Sequence, residues 1–431
     1  MSLPRYPKYK DSGVEWLGEV PEHWKVIPVR AIAKIINGFP FDSAKFNPEE
    51  GIPLIRIRDL NSRETEAKYE GTFVPQAAVT SDDVLIGMDG DFNVGRWLGE
   101  GVGLLNQRIC CVRGQSKSIT ELLEHALQFP LKTTNEITYA TTVKHLSSAQ
   151  VEKTRVALPP KSSELEQLVE FLMRETAKID DLIAEQQRLI ELLKEKRQAV
   201  ISHAVTKGLN PDAPMKHSGV EWLGCIPAHW DVIRIGALYR EVSECGDPEL
   251  PILSVSIHDG VTDRELEDEE LDRKVTRSED RSKYKRVLPS DLVYNMMRAW
   301  QGGFGAVTVC GLVSPAYVVA RPIRPVRSDY IEQVLRTERA VEEMRRYSRG
   351  VTDFRLRLYW DEFKSLNVPV PPLTEQREVL AHISSVCEQS DRLVGAANSA
   401  ISLLQERRTA LISAAVTGKI DVRQAVAEVV A

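Results

Sequence analysis

The sequence predicts an α+β fold in which two globular modules are separated by two long helices, arranged as a two-fold internal repeat. The string SGVEWLG occurs at 12–18 and again at 218–224, and a His-Trp pair follows each copy at the same offset. Each repeat closes with a Pro-Pro pair and a long amphipathic segment. Between these frames lie short apolar runs separated by Gly, Asn and Asp, a pattern typical of strands and turns. A match over so long a Trp-containing string indicates an internal repeat rather than chance.

The amphipathic segments end in closely similar strings, LLKEKRQAVISHAVTKG at 192–208 and LLQERRTALISAAVTGK at 403–419. Their apolar residues recur every three and four positions, which predicts helices with a heptad seam. The seam residues expected to pack on the other helix or on a partner are Leu168, Leu172, Ile179, Leu182, Leu189 and Leu193, with Leu393, Leu404 and Leu411 in the second helix. A helix of about 40 residues is roughly 60 Å long and cannot bury such a seam alone. We therefore expect an antiparallel coiled coil; two separate helices that each cover their own module are the alternative.

The repeated frame divides the chain into four parts. We expect a first module at 1–158, a central helix at 159–208, a second module at 209–370 and a final helix at 371–431. Glu166-Gln167 parallels Glu375-Gln376. On that alignment the first helix has three more residues after its Pro-Pro pair than the second, so the two helix starts would differ.

Composition limits the classes of function. The 431 residues are 42% hydrophobic and 27% charged, which allows buried cores, and the formal net charge is −6. A chain-wide basic field is therefore absent, so contact with nucleic acid would need local positive charge. The sequence has no secretory signal and no run of about 18 apolar residues, so we expect a cytoplasmic protein without a membrane span. Six cysteines without metal-ligand spacing fit a reducing compartment.

A polar, glycine-punctuated stretch in the first module has side chains suited to reading DNA bases. Its candidate contacts are Asn93, Arg96, Asn106, Gln107 and Arg108. Asn, Gln and Arg carry forked donors and acceptors that match the edges of adenine and guanine in the major groove. The alternative is a solvated hairpin with Trp97 packed back on the sheet.

The second module has a comparable stretch and two basic clusters. Its candidate DNA contacts are Arg298, Trp300, Gln301 and Arg349, with Arg355 and Arg357 on phosphate. An earlier cluster comprises Arg273, Lys274, Arg277, Arg281, Lys283, Lys285 and Arg286. Clustered Arg and Lys favour phosphate contact. Acidic residues close by, such as Glu342 and Glu343, leave a salt-bridged surface as the alternative.

Signatures of catalysis are missing. The sequence has no G-x-x-x-x-G-K-[ST] phosphate loop, and no N-P-P-Y-type motif of an adenine methyltransferase. The eight histidines are scattered, and no nucleophile, base or metal set can be defended. His23 and His229 recur with the repeat beside Trp24 and Trp230, where a structural role is the better interpretation.

Several strings together resemble one protein family. They are SGVEWLG with His-Trp at both module starts, ATTVKHLSSAQVEKTRVALPP at 140–160, SPAYVVARP at 314–322, RLRLYWDEF at 355–363, VPVPPLTEQ at 368–376 and the two helix ends. Across almost its full length the chain resembles the specificity subunit of type I restriction–modification systems.

The resemblance implies two target-recognition domains, each reading one half of a bipartite site in double-stranded DNA. It implies that the two helices form the antiparallel spacer and dock two methyltransferase subunits, and that restriction/translocase subunits join outside these. S-adenosylmethionine, ATP and Mg would then be bound by partner subunits and no cofactor by this chain. The chain would be a non-catalytic, DNA-binding subunit of a phage-defence complex.

Two other classes of function remain open at this point. The chain could itself be a methyltransferase, although the missing catalytic motif argues against that. It could also be a coiled-coil adaptor without a DNA role, which salt-dependent DNA binding would exclude.

Overall fold

The structure is a computed structural model that describes residues 4–137, 144–257, 260–266, 281–350 and 356–423. The chain forms two compact units, Met1–Gln186 with Ser399–Ala431, and Gln187–Asn398. Each unit contains a mixed module of strands and short helices together with part of each long helix. The predicted α+β class and the internal repeat are confirmed.

The first module and its long helix follow this order: β1 Tyr9–Asp11, β2 Glu19–Pro21, β3 Lys25–Pro28, β4 Ala33–Asn37, β5 Phe46–Asn47, β6 Ile52–Ile55, β7 Lys68–Tyr69, β8 Ala78–Val79, β9 Val84–Gly87, β10 Val94–Gly95, β11 Gly103–Leu105, β12 Ile109–Gly114, α1 Lys117–Ala126, α2 Gln128–Ile137, α3 Ser148–Lys153, β13 Arg155–Leu158 and α4 Ser162–Lys207.

The second repeat continues with β14 Met215–His217, β15 Cys225–Pro227, β16 Asp231–Arg234, α5 Ile235–Leu238, β17 Tyr239–Val242, β18 Val255–Ser256, β19 Gly260–Val261, β20 Lys285–Val287, β21 Leu292–Asn295, β22 Phe304–Ala306, β23 Gly311–Val313, β24 Tyr317–Pro322, α6 Ser328–Leu335, α7 Glu338–Tyr347, α8 Trp360–Phe363, β25 Asn367–Val370 and α9 Leu373–Val416.

Each module has its own central sheet, and the two sheets have the same strand arrangement. The strand order is β10-β9-β12-β4 in the first module and β22-β21-β24-β17 in the second, and every pair in both sheets is antiparallel. The second sheet differs. In the first module it has five strands, in the order β5-β7-β6-β11-β8. In the second module, the described residues of the corresponding region form two separate pairs, β18-β19 and β20-β23. The central sheet is therefore the same in both modules, whereas the second sheet differs between them.

Within each unit the two long helices run antiparallel. In the first unit Trp24 lies against both the start of α4, where its indole donates to Glu164, and the end of α9 at Gly418. Farther along the same pair, the Arg408 guanidinium binds the Asp180 carboxylate at 2.8 and 3.2 Å. In the second unit the end of α4 at Gly208 lies near Glu375 at the start of α9. There Arg197 binds Asp391 at 2.7 Å.

Glycine is required where each long helix ends. Gly418 has φ +69°, and a Cβ there would lie 2.4 Å from Cδ of Pro21. Gly208 has φ +77°, and a Cβ there would lie 3.2 Å from the ring of Trp230. A left-handed residue at this position is the common way for a helix to end. Here it also lets the helix end approach an opening Pro and Trp.

The expected seam residues divide into buried and exposed sets. Leu168, Leu172 and Ile179 are buried, and the first two extend the core of the first module onto α4. Leu193, Leu404 and Leu411 are half-buried. Leu182, Leu189 and Leu393 are 51%, 43% and 47% exposed. The helices are thus buried where they meet the modules and present leucine to solvent farther along.

A carboxylate joins each long helix to the opening segment of its repeat, and it is buried in the first repeat and 22% exposed in the second. Glu164 is 4% exposed and accepts from Trp24 Nε1 at 3.0 Å, and its second hydrogen-bond partner is His23 Nε2 at 3.0 Å. In the second repeat Glu375 makes the corresponding bond to His229 Nε2 at 2.7 Å. Burial acts to raise the pKa of Glu164, but the hydrogen bonds from Trp24 and His23 outweigh burial and lower that pKa. The carboxylate therefore stabilises the fold at neutral pH and loses this effect as the pH falls through its lowered pKa.

These contacts correct one detail of the predicted repeat. Glu164, rather than Glu166, is the counterpart of Glu375, because each binds the repeated histidine. Counted from the Pro-Pro pairs, the two helix starts then differ by one residue and not by three. Glu166 is exposed.

Replacing Glu164 with Ala removes the acceptor of the buried Trp24 indole. We expect the first unit to lose about 2 kcal/mol of unfolding free energy, which lowers its melting temperature by about 4–8 °C. Glu166→Ala is the matched control, and since that side chain is exposed its effect should stay within about 0.5 kcal/mol. Differential scanning calorimetry of the full chain measures both, and equal melting temperatures for the two variants would contradict this role of Glu164.

Candidate nucleic-acid interface

Each central sheet ends in a hairpin whose tip is anchored in the same way. The tip at 88–93 joins β9 to β10, and the tip at 296–303 joins β21 to β22. Leu146 N–H donates to the Met88 carbonyl at 2.7 Å, and Leu358 N–H donates to the Met296 carbonyl at 2.9 Å. The two tips are therefore equivalent positions of the repeat, although their sequences differ.

A buried aspartate paired with an arginine fixes the base of each hairpin. Asp83 accepts from Thr80 N at 2.9 Å and from the Arg113 guanidinium at 2.6 Å. Asp291 accepts from Leu288 N at 2.9 Å and from the Arg321 guanidinium at 3.0 Å. Burial acts to raise the pKa of Asp83, but the hydrogen bonds from Arg113 and Thr80 outweigh it and lower that pKa.

These two Asp–Arg pairs were not predicted from the sequence. The signal was present, since Ser81-Asp82-Asp83 and Ser290-Asp291 precede apolar strands and an Arg lies within each partner strand. A rigid base lets the tip vary without loss of the sheet.

The first tip holds two nitrogen-bearing side chains around one carboxylate. Asp89 is hydrogen-bonded to His145 Nδ1 at 2.7 Å and accepts from the Arg108 guanidinium. Asp89 is largely buried, whereas the Arg108 and His145 side chains are 62% and 66% exposed. Phe92 has φ 52° and is buried, so the turn directs its ring into the core. Arg108 and His145 are thus held at the surface in a fixed arrangement.

The other predicted residues of the first module occupy unlike environments. Asn93 and Gln107 are exposed, and Asn106 is half-buried with its Oδ1 accepting from Arg108 N at 3.4 Å. The Arg96 guanidinium is bound to Glu124 at 2.7 Å, and its side chain is only 17% exposed. Trp97 is buried in the second core of this module, so for this residue the packed-Trp alternative holds.

The second tip is closed by Trp300. Its indole N–H donates to the Met297 carbonyl at 3.1 Å, and the Arg345 guanidinium lies 5.6 Å from its ring centre. Arg298 is half-buried, whereas Gln301 is exposed. Trp300 therefore organises the tip, and Gln301 is the tip side chain that solvent reaches most freely among the three predicted there.

A cleft of about 830 Å³ opens beside this second tip. Its lining includes Met297, Arg349, Arg357, Tyr359 and Glu362. The main chains of Arg349 and Arg357 pair through two hydrogen bonds of 2.9 Å, and Arg349 also forms an ion pair with Glu362. Both arginine side chains are exposed, and Asp361 and Glu362 line the same cleft, so it carries charges of both signs.

Some of the predicted basic residues make internal contacts that stabilise the fold. Arg281 binds Glu265 at 3.1 Å, and Lys285 Nζ donates to the Tyr317 carbonyl at 2.7 Å. Burial lowers the pKa of Lys285. Four predicted basic residues, Arg355, Arg273, Lys274 and Arg277, lie outside the described residues. For Arg281 and Lys285 the internal contacts favour the salt-bridged, structural interpretation.

Within the described ranges, no group of three or more His, Cys, Asp or Glu side chains is placed to hold a metal ion. In the same ranges, no helix combines the length and apolar character needed to cross a membrane.

Comparisons with known proteins point to one class. Residues 21–192 match the family described as type I restriction modification DNA specificity domain. The chain is 29% identical over 430 residues to the type I restriction enzyme EcoBI specificity subunit of Escherichia coli, covering 95% of this chain and 89% of the relative. It is 25% identical over 219 residues to the MjaVIII specificity subunit of Methanocaldococcus jannaschii, covering 50% and 49% of the two chains.

A solved structure has a similar fold. A chain from a study of complex assembly and conformational transition of the type I R-M system has a TM-score of 0.60 with this chain. The match covers 92% of this chain and 98% of that one, at 16% sequence identity.

Repeated frames around unlike hairpin tips, together with the matched domain, indicate a protein of the DNA-specificity class. Over almost its full length the chain is similar to a type I restriction enzyme specificity subunit, and residues 21–192 match the DNA specificity domain of that class. The resemblance seen in the sequence is thereby confirmed.

Replacing Asp83 with Ala leaves Arg113 without its partner and Thr80 N without its acceptor. We expect a loss of about 2 kcal/mol of unfolding free energy, because Asp83 is buried while Arg113 is partly solvated. Asp82→Ala removes an exposed neighbouring carboxylate and should change stability by less than about 0.5 kcal/mol. Thermal melting of the full chain checks this, and a similar small effect of both changes would show that the pair does not hold the hairpin.

Proposed function

We propose that the chain recognises a bipartite, asymmetric site in double-stranded DNA, with one half read by each module. The observation that carries this proposal is the pair of equally anchored but unlike tips. Equal frameworks would present their tips to the duplex in the same way, and different side chains would select different bases.

The reading groups differ between the modules. In the first module we assign base contact to Asn93, Gln107 and Arg108, with Arg96 and Asn106 supporting the loop from within. In the second module Gln301 and Arg298 read bases, and Trp300 holds the tip in shape. Arg349 and Arg357 contact phosphate from the cleft rim, and Arg355 is assigned with them on sequence grounds alone.

We further propose that two methyltransferase subunits dock on the long helices and that restriction/translocase subunits join through them. Matching positions of the two repeats support this. Leu192 and Leu403 are 51% and 65% exposed, and Glu195 and Glu406 are exposed in the same aligned strings. A leucine exposed at the same place in both repeats fits a surface that a partner covers.

The chemistry would then reside in the partners. S-adenosylmethionine, ATP and Mg would be bound by the methyltransferase and restriction subunits, and no cofactor by this chain. The complex would act in the cytoplasm, where incoming phage DNA is met.

Gln107→Ala and Gln301→Ala test the assignment and control each other. With its methyltransferase partners, each variant should lose about 10- to 100-fold discrimination at one base pair of one half-site, because a bidentate contact contributes about 1–3 kcal/mol. Gln107→Ala should affect only the half read by the first module, and Gln301→Ala only the other. Mapping of methylated positions across a genome reads both motifs, and unchanged motifs in both variants would refute the loop assignment.

The length of the long helices should set the unread spacer of the site. Four residues inserted after Gln186 and four after Asn398 add about 6 Å to each helix. We expect a spacer longer by about two base pairs at roughly 3.4 Å each, with both half-sites unchanged. The same methylation map measures this, and altered half-site bases would contradict the model.

A further inference from the structure

Two exposed charges are identical in the opening segments of the two repeats. Lys10 on β1 corresponds to Lys216 on β14, and Glu15 in the following loop corresponds to Glu221. All four residues are exposed. Other exposed positions of the same segment differ, as in the pairs Asp11 and His217, Glu19 and Cys225, Glu22 and Ala228, and Lys25 and Asp231.

Internal packing explains most of the other identities in this segment. The Ser12 and Ser218 hydroxyls each accept from the backbone N–H two residues on, at 3.1 Å in both repeats. The paired glycines of the loop have positive φ. Leu17 and Leu223 are buried in the cores, as are Trp24 and Trp230.

The repeated lysines and glutamates have no such internal role. Among the described residues Lys10, Glu15 and Lys216 make no ion pair, and Glu221 lies 3.8 Å from Arg346 with its side chain 90% exposed. An exposed position that the fold leaves free differs readily between the repeats, as the four differing pairs do. Something outside the fold therefore accounts for these two identities.

The chemistry of the pair argues for protein rather than DNA. A surface that contacts phosphate gains from lysine, but a carboxylate on the same short segment opposes a polyanion. Side chains that read the bases of a half-site would also differ between the modules, as those of the two hairpin tips do. An identical pair of opposite charges suits two copies of one partner chain that presents an acid and a base in return.

We propose that Lys10 with Glu15, and Lys216 with Glu221, are matching contact points for two copies of the methyltransferase subunit, one copy on each unit. This rests on the docking proposed above and assigns it a second contact, on the opening segments rather than on the helices. Each unit thereby presents its own complete copy of the charged contact.

Charge reversal should remove one partner copy at a time. Native mass spectrometry of the full chain co-expressed with its methyltransferase subunit counts the bound copies. We expect two copies with the wild-type chain, one with Glu15→Lys, one with Glu221→Lys and none with the double variant. A weakening of about 10- to 100-fold per site is expected, as for like charges brought together at an interface.

Matched controls come from the differing positions of the same segment. Glu19→Lys and Asp231→Lys make the same charge change at exposed sites and should keep two copies, and Lys25 already occupies the place of Asp231 in the first repeat. The exchange Lys10→Glu with Glu15→Lys keeps the net charge, and it should still lose one copy. Melting temperatures within about 2 °C of wild type show that the variants fold.

The outcomes separate this inference from the docking it rests on. A double variant that keeps two copies, or controls that lose them equally, overturns the charged contact alone. A wild-type chain that binds no methyltransferase subunit overturns the docking and the contact together.

Discussion

The structure depends on one contact of each repeat, made by a carboxylate in the first turn of the long helix that is buried in the first repeat and partly exposed in the second. Glu164 is held by Trp24 and His23, and Glu375 by His229. A charge removed from water is tolerated only with hydrogen-bonding partners, so the position of each helix start follows the opening segment. Because the end of the antiparallel helix packs on the same Trp, one small cluster joins the sheet and both helices within each unit.

In the first unit this cluster also joins the two ends of the chain. Asp421 N–H donates to the Pro4 carbonyl at 2.7 Å, and the Tyr9 hydroxyl donates to the Gly418 carbonyl at 3.0 Å. The second unit makes the equivalent junction through a continuous chain after Gly208. A frame closed in this way lets the tips change, because a buried aspartate paired with an arginine holds each hairpin base whatever side chains the tip carries.

Much of this could be predicted from period and repetition. Helix ends and the pairing of the two long helices follow from strings that recur, since a heptad seam needs a second helix. Side-chain partners could not be predicted in the same way. Arg96 resembles a base reader in sequence but is bound to Glu124, and Trp300 donates its N–H within its own loop. The partner of Arg96 comes from a distant helix, and the Trp300 contact depends on how its own loop folds, so neither contact could be predicted from the sequence.

The sequence by itself determined the duplicated frame, the resemblance to one class of protein and the absence of a catalytic motif, because these rest on local patterns that one chain displays in full. Only the tertiary structure decided which glutamate of each long helix binds the repeated histidine and which polar side chains reach solvent. It also showed that Asp89 binds both Arg108 and His145 at the first tip. Those outcomes depend on burial and on hydrogen bonds between residues far apart in the chain, and desolvation is settled only when the elements pack.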